Sequence, residues 1–130
     1  MRLFFKSKDG GPESSVTGYW LIESKKTISI CLLRFDGRSR EAYHTHAFNA
    51  ISWLLKGGLD ELFIDGSSKK HRPSFRPIIT PRTDFHKVSS IPGRSWALTF
   101  RGPWANTWKE FLPDLGKFIT LSSGRKIVSV

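Results

Sequence analysis

Short apolar segments alternate with short polar or glycine-containing segments along most of the chain. Segments rich in β-branched and aromatic residues occupy 18–23, 27–35, 51–55, 59–64, 95–101 and 117–121. Runs of this length and composition, bounded by turn residues, are typical of β-strands. No segment shows the 3.6-residue periodicity of apolar positions that an amphipathic helix requires. The pattern therefore predicts about eight to ten short strands and an all-β fold, either a sandwich or a barrel.

Three further segments have a less regular pattern. Residues 74–79 contain Pro77, which cannot donate a ladder hydrogen bond, so we expect an edge strand or the start of a strand there. Residues 84–88 predict another strand. Residues 104–111 predict either a short helix or a strand, and the sequence leaves the two open.

The length of 130 residues predicts a single domain that can bury a sizeable core. Residues 8–15 are polar and rich in turn-forming residues. We therefore expect residues 1–15 to form a flexible or loosely docked N-terminal arm. Residues 16–130 would form the β-domain.

The composition is compatible with a packed core. Apolar residues make up 38% of the chain, and ten Phe and five Trp compensate for this low fraction because each buries a large area. The single cysteine, Cys31, excludes an internal disulfide, and its apolar neighbours predict that it is buried. Residues 1–5 are too short for the apolar region of a signal peptide, and no segment is long enough to span a membrane. We therefore expect a cytoplasmic protein without membrane association.

The chain is strongly basic, with 21 Lys and Arg against 11 Asp and Glu and a formal net charge of +10. The basic residues are scattered along the sequence, which is typical of a solvated basic surface. Such a surface also attracts anions and can bind nucleic acid without sequence preference. A third interpretation is a basic rim around a pocket for a small anionic substrate.

Two of the four histidines, His44 and His46, are separated by one residue. In a β-strand, residues i and i+2 project from the same face, so both imidazoles could bind the same divalent metal. His86 lies on a separate predicted strand, and a barrel can bring inward-facing residues of distant strands together. Three imidazoles leave coordination positions open for water or substrate, as in a catalytic site.

The same histidines have a structural alternative. Without a metal, His44 and His46 would be hydrogen-bonded polar residues at the mouth of a barrel, and His86 would be a packed strand histidine. His71 lies in the charged segment 69–72, and we expect it to be exposed.

Two short motifs resemble those of a known protein family. His44-Thr45-His46, followed by the strand and glycine turn at 53–58, resembles the first motif of the cupin superfamily, in which Gly57 matches the motif's glycine. The segment Pro81–His86 resembles the second motif, a proline followed five residues later by a third metal-binding histidine. Residues 95–103 and 107–111 are similar to small cupin-like proteins encoded by bacteriophages and prophages. Together the resemblance covers roughly residues 40–130.

The resemblance implies an all-β, jelly-roll barrel that binds one divalent metal, either Fe, Mn, Ni or Zn, through His44, His46 and His86. The sequence departs from the motif where the family has a glutamate ligand, because Ala50 and Ile51 stand there. The nearest alternatives are Asn49, whose neutral amide is a poorer ligand, and Glu61, which could close the site from the neighbouring strand. Thr83 replaces the glycine of the second motif, so the turn there could differ.

These observations predict a metal-binding cupin-like protein, with an oxygenase-type enzyme acting on a small anionic molecule as the leading hypothesis. We expect Glu61 either to act as ligand or base or to face solvent and pair with Lys56. We expect Tyr43 either to line the pocket or to pack against its neighbours. Arg82, with Arg76 and Arg101, could bind a substrate carboxylate or phosphate. The alternatives are a non-catalytic phage-type binding or structural module and a basic nucleic-acid-binding barrel. We also expect a homodimer.

Overall fold

β-Strands are the regular structure of the computed structural model, which describes residues 1–9, 14–39, 43–90, 93–112, 115–122 and 125–129. Twelve strands are present in these ranges and none of the ranges contains a helix, so the all-β prediction is confirmed. The strands are β1 (Arg2–Lys8), β2 (Val16–Glu23), β3 (Ser29–Asp36), β4 (Ala50–Lys56), β5 (Leu59–Phe63), β6 (Ser68–His71), β7 (Ile78–Thr80), β8 (His86–Ser89), β9 (Arg94–Arg101), β10 (Thr107–Leu112), β11 (Lys117–Ser122) and β12 (Lys126–Ser129). Within the described ranges, no helix has the length and apolar character needed to cross a bilayer.

The segment with an open interpretation and part of the predicted N-terminal arm both form strands. Residues 107–112 are strand β10, not the alternative helix. Residues 2–8, within the predicted flexible arm, form strand β1, which pairs antiparallel with β2 from Arg2↔Glu23 to Lys8↔Thr17. This segment therefore has a regular ladder partner, although its side chains are mostly exposed. The division of the chain at residue 16 stays a prediction.

The strands form one large sheet and two smaller ladders. The large sheet has the order β1-β2-β3-β9-β4-β7, with β7 at an edge as Pro77 predicts. The smaller ladders are β6-β5-β8 and β10-β11-β12. Neighbours that are distant in sequence, such as β3 and β9, show that the chain crosses between layers, as in a jelly roll.

His44 joins the two smaller ladders through its backbone. Its N–H donates to the carbonyl of His86 on β8 at 3.1 Å, and the N–H of His86 donates back at 3.0 Å. On its other side His44 pairs with Glu110 of β10, and the adjacent Thr45 N–H donates to the carbonyl of Lys109 at 2.8 Å. The sequence predicts a regular strand through His44 and His46, whereas the structure has only isolated bridges at His44.

Side chains that alternate along the strands form the interior. On β9 the buried residues are Ser95, Ala97, Thr99 and Arg101, with half-buried residues between them. This period of two is the signature of a strand with one face toward a core. Cys31 is buried as the sequence predicts, and burial raises the pKa of its thiol to about 12.

Gly57 occupies a position that other residues cannot adopt without strain. Its φ is +88°, and an added Cβ would lie 2.7 Å from the carbonyl oxygen of Arg94 and overlap the Ser95 hydroxyl. The turn between β4 and β5 therefore depends on glycine both for its backbone angle and for its close approach to β9. This explains why Gly57 stands at the motif position identified in the sequence.

We expect Gly57→Ala to lower the free energy of unfolding by about 2–4 kcal/mol, because backbone strain and a steric clash act together. Gly66→Ala is the matched control. Gly66 has a φ of +92°, but an added Cβ there meets no atom within 4 Å. The control should lose only about 1–2 kcal/mol from backbone strain. Urea denaturation of both variants measures the difference, and equal losses would contradict the role of the contact with β9.

Candidate metal centre

The structure brings three histidines together that are up to 42 residues apart in the chain. One ring nitrogen of each of His44, His46 and His86 lies within 4.8 Å of the other two. The three ring centroids are separated by 4.8, 4.9 and 5.4 Å. This is the cluster that the sequence predicts, although its role as a metal site stays a prediction. We call these three side chains the histidine cluster.

The spacing of His44 and His46 suits a shared cation. The Nε2 atoms of His44 and His46 are 3.3 Å apart. Two imidazole nitrogens bound to zinc at about 2.0–2.1 Å, with an angle between about 90° and 109°, lie about 2.8–3.4 Å from each other. The observed distance matches two ligands of one ion, and it also matches a hydrogen bond between the two rings, the structural alternative for these histidines.

Two nitrogens of the cluster have no partner among the described residues. His86 Nε2 and His46 Nδ1 are both buried, and neither atom forms a hydrogen bond with a described residue. A buried polar atom without a partner costs free energy, so such atoms require an explanation. A cation bound between the rings would supply the missing interaction for His86 Nε2 directly.

Glu61 on β5 fixes the orientation of His86. His86 Nδ1 lies 2.5 Å from Glu61 Oε2, and Glu61 is only 5% exposed. When Nδ1 donates its proton to the carboxylate, Nε2 carries the lone pair that faces the histidine cluster. A carboxylate behind a ligand histidine is a common second layer around protein metal sites.

The carboxylate of Glu61 remains ionised in this setting. Burial by itself would raise the pKa of Glu61, but the hydrogen bonds from His86 and His71 outweigh it and lower the pKa below its ordinary value. The sequence offers Glu61 as ligand or base, or else as a solvent-facing residue paired with Lys56. The structure places it in the interior behind His86, and its direct role as a ligand stays a prediction.

His71 is not the exposed residue that the sequence predicts. Its side chain is only 18% exposed, and its Nε2 lies 2.9 Å from Glu61 Oε1. The reason is strand register: His71 on β6 pairs with Leu59 on β5, and directly opposed residues share a face of the sheet. Its basic neighbours conceal this orientation when the segment is considered alone.

Three other predicted site residues lie outside the histidine cluster. Asn49 is exposed, and its Oδ1 accepts a hydrogen bond from the backbone N–H of Arg82 at 2.8 Å. The Arg82 side chain is exposed, and the Tyr43 ring has Lys87 Nζ at 4.6 Å from its centroid. Among the described residues, none of these three lines the internal cavity. Their functional roles stay predictions.

An internal cavity of about 90 Å³ adjoins the histidine cluster. A space of this size holds several water molecules or a small organic molecule. Its accessible wall is mostly apolar. The polar residues on it are the histidine cluster, the hydroxyl residues Ser52, Thr80 and Thr99, and the ionisable residues Asp9, Glu61, His71 and Arg101. Such a mixture of apolar walls and a few polar groups is typical of a small-molecule site.

Arg101 and Asp9 form an ion pair on the cavity wall. Arg101 is only 4% exposed, and its two terminal nitrogens donate to the Asp9 carboxylate at 3.1 and 2.6 Å. The guanidinium carbon lies 4.9 Å from the Trp20 ring centroid and 4.4 Å from that of Phe48. Burial would lower the pKa of Arg101, but Asp9 raises it, so Arg101 stays charged. The sequence suggests Arg101 as a binder of substrate anions, whereas its terminal nitrogens already bind Asp9.

We expect the metal-free protein to lose stability as the pH falls below about 6.5. Burial, followed by the neighbouring His44, His86 and Arg101, holds the pKa of His46 well below its ordinary value, so folded His46 stays neutral. The unfolded chain binds a proton at His46 below about pH 6.5, which favours unfolding by roughly 1 kcal/mol per pH unit. Urea denaturation between pH 7.5 and 5.5 in the presence of EDTA measures the slope. His46→Asn should have a flatter profile, and an unchanged slope in that variant would exclude His46 as its source.

Comparison with known proteins identifies the fold. No protein-family model matches the chain, and no curated protein matches its sequence. A sugar phosphate isomerase of the cupin superfamily from Silicibacter pomeroyi matches with a TM-score of 0.66 and 10% identity, over 99% of this chain and 92% of the other. The polyketide cyclase RemF from Streptomyces resistomycificus has a TM-score of 0.70 and 14% identity, over 84% and 80% of the two chains. The Fe(II) form of HppE has a TM-score of 0.59 and 11% identity, over 75% and 56%.

These structural relatives share little sequence with the chain, so the likeness concerns the fold. They agree with the fold that the two sequence motifs imply, whereas the similarity to phage proteins stays a prediction. The twelve strands, the crossed sheet order and these matches together lead to one conclusion. The chain has the jelly-roll fold of the cupin superfamily.

Proposed function

We propose that this protein binds one divalent metal ion through His44, His46 and His86 and acts as an enzyme on a small anionic molecule. The observation that carries the proposal is the arrangement around His86. Glu61 holds Nδ1, and the buried Nε2 faces two further imidazoles without any other partner in the described part of the chain. This donor set of three nitrogens with a carboxylate behind one of them fits Fe, Mn, Ni or Zn.

The chemistry of the donors favours an anionic substrate. Three neutral imidazoles leave the full charge of a divalent ion in place, and the lowered pKa of His46 keeps that ring neutral. A carboxylate or a similar anion would therefore bind strongly at an open coordination position. The cavity of about 90 Å³ limits the part of the substrate that can reach this position.

The residues of the chain would position the substrate and exclude water. Apolar side chains on the cavity wall, including Leu33, Phe35 and Val88, restrict the number of water molecules beside the histidine cluster. Ser52 Oγ and Thr99 Oγ1 lie 2.9 Å apart on the same wall and offer hydroxyl groups for hydrogen bonds. A metal bound at the cluster would supply Lewis-acid or oxygen-activating chemistry, and an oxygenase-type reaction is one class that such a centre could support. The Fe(II) form of HppE supports iron as one candidate ion.

Metal analysis of protein purified without an affinity tag tests the proposal. We expect close to one equivalent of a transition metal, or its uptake on addition of Fe(II), Mn(II), Ni(II) or Zn(II).

The Co(II)-loaded protein should change its visible absorption when acetate is added but not when acetamide, a neutral analogue, is added. Asn49→Ala should bind metal normally, because Asn49 is exposed and outside the cluster. Less than roughly a tenth of an equivalent after metal addition would contradict the proposal.

The remaining expectations from the sequence stay predictions. A non-catalytic role would leave biological function intact after alanine replacement of His44 and His46. A homodimer would be detected by sedimentation, and nucleic-acid binding by a steep dependence of affinity on salt concentration.

A further inference from the structure

A basic groove of about 520 Å³ opens on the surface beside the internal cavity. It lies between strand β6 and the segment that leads to β7. Four cationic side chains line it, namely Lys69, Lys70, Arg72 and Arg76. Among the described lining residues, Glu61 is the one carboxylate, and its two oxygens already face His71 and His86.

The groove and the internal cavity share three wall residues. Glu61, His71 and Ile78 line both spaces. Because the same three side chains border both spaces, the groove and the cavity are adjacent. The groove is the larger of the two spaces, and it is basic and open to the surface. The cavity is smaller and adjoins the histidine cluster.

None of the four cations of the groove forms an ion pair with a carboxylate among the described residues, although Lys69 and Lys70 lie opposite Glu61 and Asp60 in the β5–β6 ladder. The ion pairs found elsewhere in the described part of the chain join other arginines and histidines to Asp9, Asp36, Glu61 and Glu110. Like charges placed around one groove repel each other, and a bound anion relieves that repulsion. The net charge of the groove therefore favours an anion of more than one negative charge.

The segment that carries the two arginines is held in place by hydrogen bonds. The indole N–H of Trp53 donates to the carbonyl of Phe75 at 3.1 Å, and the N–H of Arg76 donates to Ser74 Oγ at 3.0 Å. The backbone between Arg72 and Arg76 is thus attached to β4. An attached backbone reduces the entropy that the arginines lose when they bind an anion.

We propose that the basic groove binds the phosphate group of a phosphorylated small-molecule substrate, while the remainder of that molecule enters the internal cavity; this inference rests on the proposed function. A phosphate monoester carries a charge between −1.5 and −2 at neutral pH and three acceptor oxygens. Two guanidinium groups and two ammonium groups match that charge and number of acceptors better than they match one carboxylate. The phosphate would then be a second anionic group of the substrate, at the end that lies farther from the metal.

The observations favour a small phosphorylated molecule over a nucleic acid. A nucleic acid requires a basic stripe that follows many successive phosphates. Here four cations surround a single groove that adjoins an internal cavity.

Titration of the metal-free, full-length protein with inorganic phosphate at low ionic strength tests the inference. Chemical-shift changes in NMR spectra report the affinity. The variant Arg72→Gln/Arg76→Gln should bind phosphate at least about tenfold more weakly than the unmodified protein. The control Arg2→Gln/Arg38→Gln removes the same charge from two exposed arginines that do not line the groove, and its affinity should change less than about twofold.

The outcomes distinguish this inference from the proposed function because the titration uses no metal. Absent phosphate binding, or equal losses in both double variants, would overturn the inference and leave metal binding untouched. Phosphate binding that depends on Arg72 and Arg76 in a protein that takes up no metal would support the groove and refute the metal centre. Binding of duplex DNA with a steep salt dependence, without binding of inorganic phosphate, would identify a polyanion surface and overturn the inference.

Discussion

Replacing His86 with alanine is expected to lower the affinity for Zn(II) by on the order of a thousandfold. The substitution removes one of three clustered nitrogens and leaves two imidazoles from the same short segment. It also leaves the Glu61 carboxylate without its hydrogen bond from His86. Competition with a chromogenic chelator, on protein whose fold is verified by far-ultraviolet circular dichroism, measures the change.

His71→Ala is the matched histidine control for this experiment. His71 also hydrogen-bonds to Glu61, but it contributes no nitrogen to the histidine cluster. We expect this control to lose less than about tenfold in affinity, because it affects the centre only through Glu61. Equal losses in the two variants would show that His86 is not a ligand.

The second large effect is expected at Glu61. Glu61→Gln should weaken Zn(II) binding by about 10–100-fold while the stoichiometry stays at one ion. The neutral amide oxygen still accepts a hydrogen bond from His86 Nδ1, but it lacks the negative charge that makes the imidazole a better donor to a cation. The lowered pKa of Glu61 means that the carboxylate is ionised throughout the neutral range. The loss should therefore be constant between pH 6.5 and 8.

Asp60→Asn is the matched control for Glu61→Gln. Asp60 is the preceding residue on β5, and its side chain projects from the opposite face of the strand. Its replacement removes the same charge and should leave Zn(II) affinity within about twofold. If Glu61→Gln abolishes binding as fully as His86→Ala, Glu61 coordinates the metal directly, as the sequence allows. If it has no effect, the carboxylate does not support the centre.

Much of the fold and the histidine cluster could be predicted because both depend on local patterns. A period of two along segments such as 95–101 indicates a strand with one buried face. The position of the cluster could be predicted from two short segments, His44–His46 and Pro81–His86. Each segment combines candidate ligand residues with the turn that orients them. The glycine at position 57 is explained by a backbone angle and a contact that the motif requires.

The supporting contacts could not be predicted, because they depend on which strands pair and in which register. His71 faces inward only because it opposes Leu59 across the β5–β6 ladder. The Arg101–Asp9 pair joins residues 92 positions apart. The regular strand expected at His44 is absent because both neighbouring ladders meet at that one residue. Knowledge of the β5–β6 turn, together with the alternation of Leu59 and Glu61, would have revealed the orientation of His71.

The backbone pairing of His44 with His86 has a mechanical consequence. Their reciprocal hydrogen bonds fix the separation of two imidazoles before any ion arrives, so little conformational freedom remains to be lost on coordination. An ion held by both rings would in turn restrain β8 and the segment 43–46 from separating, in the manner of a reversible cross-link. Binding of the ion would therefore stabilise the backbone pairing of His44 with His86 against local opening. Amide hydrogen exchange at His44 and His86 would slow when the ion binds.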